Sequence, residues 1–135
     1  MELETLVRQT IRHSVTSWAH ACGVLLRPYQ REIARAVKDS VLNRRGLTFV
    51  VILPRQSGKN ELQAHLFAWL LFRYVYNGGN IVSVSPTFNP QTLNNMDRVR
   101  RSLDACVGSR GIWKSSQGRI YALKKARLLF YSGEL

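Results

Sequence analysis

Apolar residues recur every three or four positions in the first part of the chain, over residues 2–21 and again from Pro28 to Gly46. This spacing places the apolar side chains on one face of a helix. Proline suits the first turn of a helix, and glycine commonly follows the last one. The pattern therefore predicts two amphipathic helices, the first ending near Gly23 and the second closed by Gly46.

Two short apolar runs rich in β-branched residues follow, LTFVVIL at 47–53 and NIVSVSP at 80–86. The first run is almost continuously apolar, which is typical of a central parallel strand buried on both faces. The second run is a strand that Pro86 ends. The segment between them, NELQAHLFAWLLFRYVY, is apolar on most of its circumference and predicts a helix packed deep in the fold.

The last third of the chain predicts a helix and a hairpin. The segment NPQTLNNMDRVRRSLDACVG predicts a helix that runs up to Gly108, and GRIYALKKARLLFYSG predicts a β-hairpin with Lys124 and Lys125 at its turn. The order of elements is helix, helix, strand, helix, strand, helix and hairpin. This order predicts an α/β fold with a mainly parallel sheet flanked by helices and a C-terminal β-hairpin.

Composition indicates one globular domain with a polyanionic partner. The chain has 135 residues, of which 45% are apolar, and its net charge is +12. A charge of this sign favours nucleic acid as the partner. The two cysteines, Cys22 and Cys106, are far apart in the sequence and predict reduced thiols. The longest apolar stretch, residues 66–72, is too short to span a bilayer, so no membrane partner is expected.

The stretch LPRQSGKNEL, residues 53–62, nearly matches a phosphate-binding loop. The usual pattern is a glycine, four free residues and then Gly-Lys-Ser/Thr. Gly58 and Lys59 fit this pattern, whereas Leu53 and Asn60 replace the first glycine and the hydroxyl residue. The stretch lies between a predicted strand and a predicted helix, where backbone N–H groups at the helix start can hold a phosphate. The alternative is an ordinary strand–turn–helix with a surface lysine.

Side chains in and before this loop suit a nucleotide. Lys59 can reach phosphate oxygens, and the amide oxygen of Asn60 is an acceptable ligand for Mg²⁺. Upstream, the amide of Gln30 can pair with the N6 and N7 atoms of adenine, and Tyr29 can stack on the base. Taken alone, this dipeptide is better explained as a solvated helix start.

In order and spacing, the segments RPYQREI, PRQSGKNE, IVSVSPTFNPQTLNNMDRVRRSL and GRIYALKKARLLFYSGE resemble the ATPase motor of a tailed-bacteriophage terminase large subunit. The resemblance covers about residues 25–134. It implies an incomplete P-loop NTPase fold, with an N-terminal helix in residues 1–24 and a partial ATPase domain in residues 25–135. It also implies a protein that couples ATP hydrolysis to the translocation of double-stranded DNA into a procapsid.

The same resemblance implies partners, cofactors and site residues. The expected partners are double-stranded DNA, the portal protein, the terminase small subunit and further copies of the chain in a ring, at the procapsid portal in the host cytoplasm. The expected cofactors are ATP and Mg²⁺, with Asn60 as the magnesium ligand. Lys59 and Arg55 are the expected catalytic residues, since Lys59 would hold the phosphates and Arg55 would stabilise charge on the transferring phosphoryl group. The expected nucleotide-binding residues are Tyr29, Gln30, Pro54, Arg55, Gln56, Ser57, Gly58, Lys59 and Asn60.

Hydrolysis in this class also needs a hydrophobic strand that ends in Asp-Glu. No Asp-Glu pair follows a hydrophobic strand in this chain, whose acids are Glu2, Glu4, Glu32, Asp39, Glu61, Asp97, Asp104 and Glu134. We therefore expect a motor domain cut before its catalytic carboxylates and its nuclease domain. Such a fragment should be inactive alone.

Basic residues cluster over residues 98–127, where nine lysines and arginines stand against one acid, Asp104. This cluster predicts contact with the DNA backbone, and the alternative is a docking surface for the portal or a neighbouring subunit. The candidate DNA contacts are Arg98, Arg100, Arg101, Lys114, Arg119, Lys124 and Lys125. Two other interpretations of the whole chain stay open. One is a superfamily 2 helicase-like ATPase, which LRPYQREIARAV would open equally well, and the other is a non-enzymatic basic DNA-binding domain.

Overall fold

A computed structural model describes residues 2–133 of the chain. A short π-type turn, Phe88–Thr92, precedes the last helix. The elements in chain order are α1 Leu3–Arg12, α2 Val15–Ala21, α3 Pro28–Leu42, α4 Lys59–Arg73, β1 Gly79–Ser85, α5 Leu93–Ala105, β2 Lys114–Ser116, β3 Ile120–Leu123 and β4 Ala126–Ser132. The prediction of an α/β fold is confirmed.

The N-terminal segment forms two helices, so the prediction of a single helix over residues 2–21 is wrong. α1 ends at Arg12, and Ser14 then caps α2, its Oγ accepting a hydrogen bond from the Ser17 N–H at 3.0 Å. A serine at this position satisfies a free backbone donor at a helix start. The chain therefore begins a new helix although the apolar spacing continues, and both Ile11 and Val15 are buried in the core.

The hydrophobic core lies between the helices and one face of the sheet. The α4 helix is buried on most sides, as its composition predicts, and its Trp69 donates a hydrogen bond from Nε1 to the Ile11 carbonyl at 3.0 Å. The ring of Trp18 from α2 packs on Phe72 of α4, with centroids 5.3 Å apart. Residues from α1 and α2 thus share one hydrophobic cluster with the later elements. Over residues 2–133, no helix is long and apolar enough to cross a membrane.

The four strands form one mixed sheet in the order β1-β4-β3-β2. β1 and β4 are parallel, with Gly79 opposite Ala126 and Ser85 opposite Ser132, while β3 is antiparallel to both of its neighbours. The predicted C-terminal hairpin is confirmed, with Lys124 and Lys125 between its strands. The prediction of a mainly parallel sheet is wrong, because the short turns on either side of β3 can join only antiparallel strands.

Residues 47–53 do not form the predicted central strand. No strand within residues 2–133 pairs with them, and Val50 and Ile52 are 83% and 88% exposed. β-branched composition favours an extended chain. A strand forms, however, only when a neighbouring chain takes up its N–H and C=O groups. The prediction that this segment is buried on both faces is therefore wrong.

One face of the sheet carries the core and the other is open. Leu128 and Phe130 of β4 are buried against the helices, whereas Val82 and Val84 of β1 are 56% and 69% exposed. Side chains alternate between the two faces of a strand, so these valines lie on the face opposite the helices. The helices and the sheet thus form two layers, and the C-terminal end of β1 is left accessible beside α5.

Candidate functional site

A cleft of about 730 Å³ lies along the loop that precedes α4. One wall is this loop with the first turn of α4, from Leu53 to Glu61, and Gln63 beyond it. The other wall is formed by the C-terminal end of β1 and the beginning of α5. The residues of that second wall are Ser83, Val84, Ser85, Pro86, Gln91, Asn94, Asn95 and Arg98. In α/β sheets, ligands commonly bind at this end of the parallel strands.

The start of α4 presents free backbone donors to this cleft. Gly58 caps the helix without any side-chain capping bond, and its φ of +82° lies in the left-handed region that favours glycine. The first helical hydrogen bond runs from the Leu62 N–H to the Gly58 carbonyl at 2.9 Å. The N–H groups of the three residues between them therefore lack a helical acceptor, and the helix dipole adds partial positive charge there. An anion placed at this end would be stabilised by both effects.

The dipeptide Tyr29-Gln30 of α3 forms hydrogen bonds with the backbone of the loop. The Tyr29 hydroxyl donates to the Ser57 carbonyl, and Gln30 Nε2 donates to the Gly58 carbonyl at 3.0 Å. Gln30 Oε1 in turn accepts the Arg27 N–H at 2.8 Å, so both ends of the buried amide are occupied. Neither Tyr29 nor Gln30 lines the cleft. The structure gives these two residues a contact with the loop backbone, and their contact with adenine stays a prediction.

The loop residues predicted to bind nucleotide do come together, because Pro54 to Asn60 all line the cleft. The cations Arg55 and Lys59 are exposed at its edge. Ser57 Oγ is buried and has no hydrogen-bond partner within residues 2–133. A buried polar atom without a partner costs about 1–3 kcal/mol. A phosphate oxygen is one group that could accept from this hydroxyl.

The protein groups in the cleft suit a magnesium ion only if bound phosphates supply further ligands. In the described part of the chain, no cluster of three or more His, Cys, Asp or Glu side chains could hold a metal ion. Glu61 and the Asn60 amide offer hard oxygen atoms in the cleft. Mg²⁺ usually keeps several waters and binds one or two protein groups together with substrate phosphates. The donor set at this loop fits that kind of binding.

A buried hydrogen-bond cluster lies behind the first turn of α4. The His65 Nδ1 is 2.9 Å from Ser102 Oγ of α5, and the same hydroxyl accepts the Trp18 Nε1–H at 2.9 Å. Burial lowers the pKa of His65, while the Glu61 carboxylate, 3.8 Å from His65 Nε2, acts in the opposite direction. This cluster ties α2, α4 and α5 together at the back of the cleft.

The second wall of the cleft was not predicted from the sequence. Gln91 and Asn94 were predicted only as part of a helix and Arg98 as a DNA contact, although the three follow one another at the three- and four-residue spacing of a single face. That spacing, directly after a strand ended by Pro86, was the available signal. It could not identify the loop as the opposite wall, because the two are more than twenty residues apart in sequence.

The candidate DNA contacts are spread over several elements. Arg98 lines the cleft, while Arg100 and Arg101 both form ion pairs with Asp97. The remaining candidates lie on β2 and on the turns at the two ends of β3. They are Lys114, Arg119, Lys124 and Lys125. The basic cluster in the sequence is therefore not one continuous patch on a single element.

Comparisons with protein-family models, with curated proteins and with solved structures find no match to this chain. The function is therefore inferred from the cleft. This cleft combines unpaired N–H groups, three cationic side chains and an unpartnered buried hydroxyl, with Glu61 as the one acidic residue among those that line it. Together these groups favour a polyvalent anion.

Proposed function

We propose that the cleft binds the phosphates of a nucleotide and that the chain is the ATP-binding part of a viral DNA-packaging motor of the terminase large subunit type. The observation that carries the first part is the position of Gly58-Lys59 at the start of a 15-residue helix, facing a large cleft. A helix of this length has a substantial dipole, and its free N–H groups form an anion site.

The loop residues have separate tasks in this proposal. The free N–H groups at the start of α4 bind phosphate oxygens, and Lys59 neutralises their charge. Because Gly58 has no side chain, the backbone of the loop can come close to a bound phosphate. Arg55, exposed in the same loop, supplies a second positive charge on that wall. A bound nucleotide would bring the phosphoryl group and its Mg²⁺, with Asn60 as the protein ligand.

The packaging role rests on the resemblance of the motifs and on the net charge of +12. The partners in this proposal are double-stranded DNA, the portal protein, the small subunit and a ring of further copies. The protein would act with them at the procapsid portal. A basic surface suits DNA because it replaces the counterions that surround the phosphate backbone. The rival interpretation as a DNA-binding domain without nucleotide chemistry gives no role to the cleft.

Titration with a fluorescent ATP analogue tests the phosphate site. We expect the Lys59→Ala variant to bind at least about tenfold more weakly than the wild type, since a charge-assisted hydrogen bond contributes about 1.5–3 kcal/mol. Lys114→Ala is the matched control, because it removes an exposed lysine from β2, outside the cleft. Equal affinity of Lys59→Ala and the wild type would contradict the proposal.

Phosphate release from ATP tests how far the described residues can support hydrolysis. We expect negligible turnover, because Glu61 is the single carboxylate among the residues that line the cleft, and it also lies near His65. Phosphoryl transfer to water needs a carboxylate that orients the attacking water. Robust turnover that Glu61→Gln abolishes would assign that role to Glu61 and contradict this expectation.

A further inference from the structure

We propose that Arg98 of α5 is a further phosphate-binding cation, besides Lys59 and Arg55 of the loop, and that the cleft selects a chain of two or more phosphates over a single phosphate. This inference rests on the proposed function of the cleft. It removes Arg98 from the DNA-contact candidates and places it opposite the loop, as part of the second wall.

Arg98 differs from the other arginines of the segment DRVRR. Arg100 and Arg101 both form ion pairs with Asp97, the latter with an Nη2–Oδ2 distance of 2.6 Å. Arg98 makes neither a hydrogen bond nor an ion pair within residues 2–133, and it acts on Asp97 only through longer-range attraction. Arg98 is an exposed residue that lines the cleft, and among the described residues it is the one arginine of this segment without a carboxylate partner.

The helix that carries Arg98 is anchored to the end of β1, which belongs to the same wall of the cleft. Asn95 Nδ2 donates to Ser85 Oγ, the last residue of β1, at 3.0 Å. Just before the helix, Gln91 Oε1 accepts the Thr87 N–H at 3.1 Å. These contacts hold the start of α5 against the end of β1. Because Arg98 follows Asn94 by one helical turn, both lie on the face that lines the cleft.

The distribution of charge favours a chain of phosphates. The loop N–H groups and Lys59 are sufficient to hold one phosphate on the first wall. A cavity of about 730 Å³ leaves room for more, and its opposite wall carries a further cation in Arg98. A di- or triphosphate could contact both walls at once, whereas orthophosphate could contact only one of them. Arginine is suited to such a contact because its planar guanidinium binds phosphate oxygens in pairs.

Competition experiments with inorganic anions test this assignment without any base or sugar. Orthophosphate, pyrophosphate and tripolyphosphate would each displace the fluorescent ATP analogue from the wild type and from the Lys59→Ala, Arg98→Ala, Arg98→Lys and Arg35→Ala variants. Arg35 is the matched control, because it is an exposed arginine of α3 that does not line the cleft. Circular dichroism and thermal unfolding of each variant verify that it is folded.

We expect Arg98→Ala to weaken tripolyphosphate binding by about tenfold or more and orthophosphate binding by less than about twofold. Arg98→Lys should recover part of the loss, and Arg35→Ala should bind like the wild type. A loss with Lys59→Ala but none with Arg98→Ala overturns the role of Arg98 and leaves the nucleotide site standing. An equal loss for all three anions overturns the selection of a phosphate chain. A wild type that binds no phosphate compound overturns the proposed function, and this inference with it.

Discussion

Gly58 has a left-handed backbone and little space for a side chain. Its φ is +82°, and a Cβ atom placed on it would lie 2.4 Å from Gln30 Nε2. The same amide nitrogen donates to the Gly58 carbonyl. A side chain at this position would therefore disturb the contact that holds the loop on α3.

Substituting Gly58 by alanine should cost more stability than the same change at Gly111. Both glycines have left-handed backbones, with φ values of +82° and +78°, but nothing lies within 4 Å of a Cβ on Gly111. The left-handed backbone alone costs an alanine about 1–2 kcal/mol. Gly58→Ala should exceed Gly111→Ala by about 1 kcal/mol or more, since it also displaces a buried hydrogen bond. Urea unfolding of both variants measures the difference, and equal losses would contradict the contact with Gln30.

His65 should make stability depend on pH. Burial lowers its pKa from the ordinary 6.5, so the unfolded chain binds a proton at a higher pH than the folded protein does. Stability is then complete above about pH 6.5 and falls as the pH drops below it, by at most about 1.4 kcal/mol per unit for one group. The pKa values of Asp39 and Asp97 are lowered from 3.8. Protonation of these carboxylates therefore affects stability only at a more acidic pH than protonation of His65 does.

Urea unfolding at several pH values between 5 and 7.5 checks this expectation. The wild type should lose stability toward pH 5, and His65→Gln should lose less over the same interval because it has no group to protonate. At pH 7.5, the difference in stability between the wild type and His65→Gln measures separately the loss of the hydrogen bond between His65 and Ser102. An unchanged pH slope in His65→Gln would show that another group is responsible.

At the scale of elements, residues 47–53 show that a strand-like composition does not by itself produce a strand. The segment has the composition of a buried strand, yet Val50 and Ile52 are among the most exposed large hydrophobic residues of the described chain. It also leads directly into the loop that lines the cleft. The position of the loop thus depends on its contacts with α3 and on the start of α4, and not on a strand before it.

Truncation of Ile52 should be nearly neutral for stability. Ile52 is 88% exposed, so Ile52→Ala should change the free energy of unfolding by about 0.5 kcal/mol or less. Leu103, which is fully buried on α5, is the matched control, and Leu103→Ala should cost about 2–5 kcal/mol. Chemical denaturation measures both values. A cost of several kcal/mol for Ile52→Ala would mean that the segment is buried, as the sequence alone predicts.

For the whole molecule, the net charge of +12 favours DNA, while the folded chain distributes the candidate contacts over α5, β2 and the two ends of β3. Two of the candidates, Arg119 and Lys124, also lie over aromatic rings, of Phe88 at 5.0 Å and Tyr76 at 5.3 Å. General attraction by net charge and contact through one surface therefore predict different effects of local substitutions.

DNA affinity measured at several salt concentrations distinguishes these two modes. We expect binding to weaken steeply with salt and to show little preference between two unrelated duplexes, because phosphate contacts release counterions. The double variant Lys124→Gln/Lys125→Gln should reduce the logarithmic salt slope by about 1–2. Arg12→Gln/Arg35→Gln removes the same charge from the N-terminal helices and should leave the slope nearly unchanged. Equal effects of the two double variants would favour general attraction, and a flat salt dependence would exclude backbone contact.

Much of the local structure follows from the sequence alone. The helices from Pro28 and from Lys59, the strand before Pro86 and the C-terminal hairpin were all predicted close to their observed bounds. Each depends on neighbouring residues: an apolar spacing, a proline at a boundary or a two-residue turn. The position of the loop Pro54 to Asn60 at the start of a helix was predicted for the same reason, because a glycine-lysine pair before a helix is a local signal.

Most of the remaining features depend on residues that are far apart in the sequence. Whether residues 47–53 become a strand depends on a partner chain, and none within residues 2–133 pairs with them. The break at Ser14, by contrast, depends on a cap that apolar spacing does not reveal. The proposed role of Arg98 rests on Asp97 pairing with the other two arginines and on α5 lying across the cleft from the loop. Spacing along a chain specifies which face a side chain occupies, but the group that meets this face is specified only when distant elements pack together.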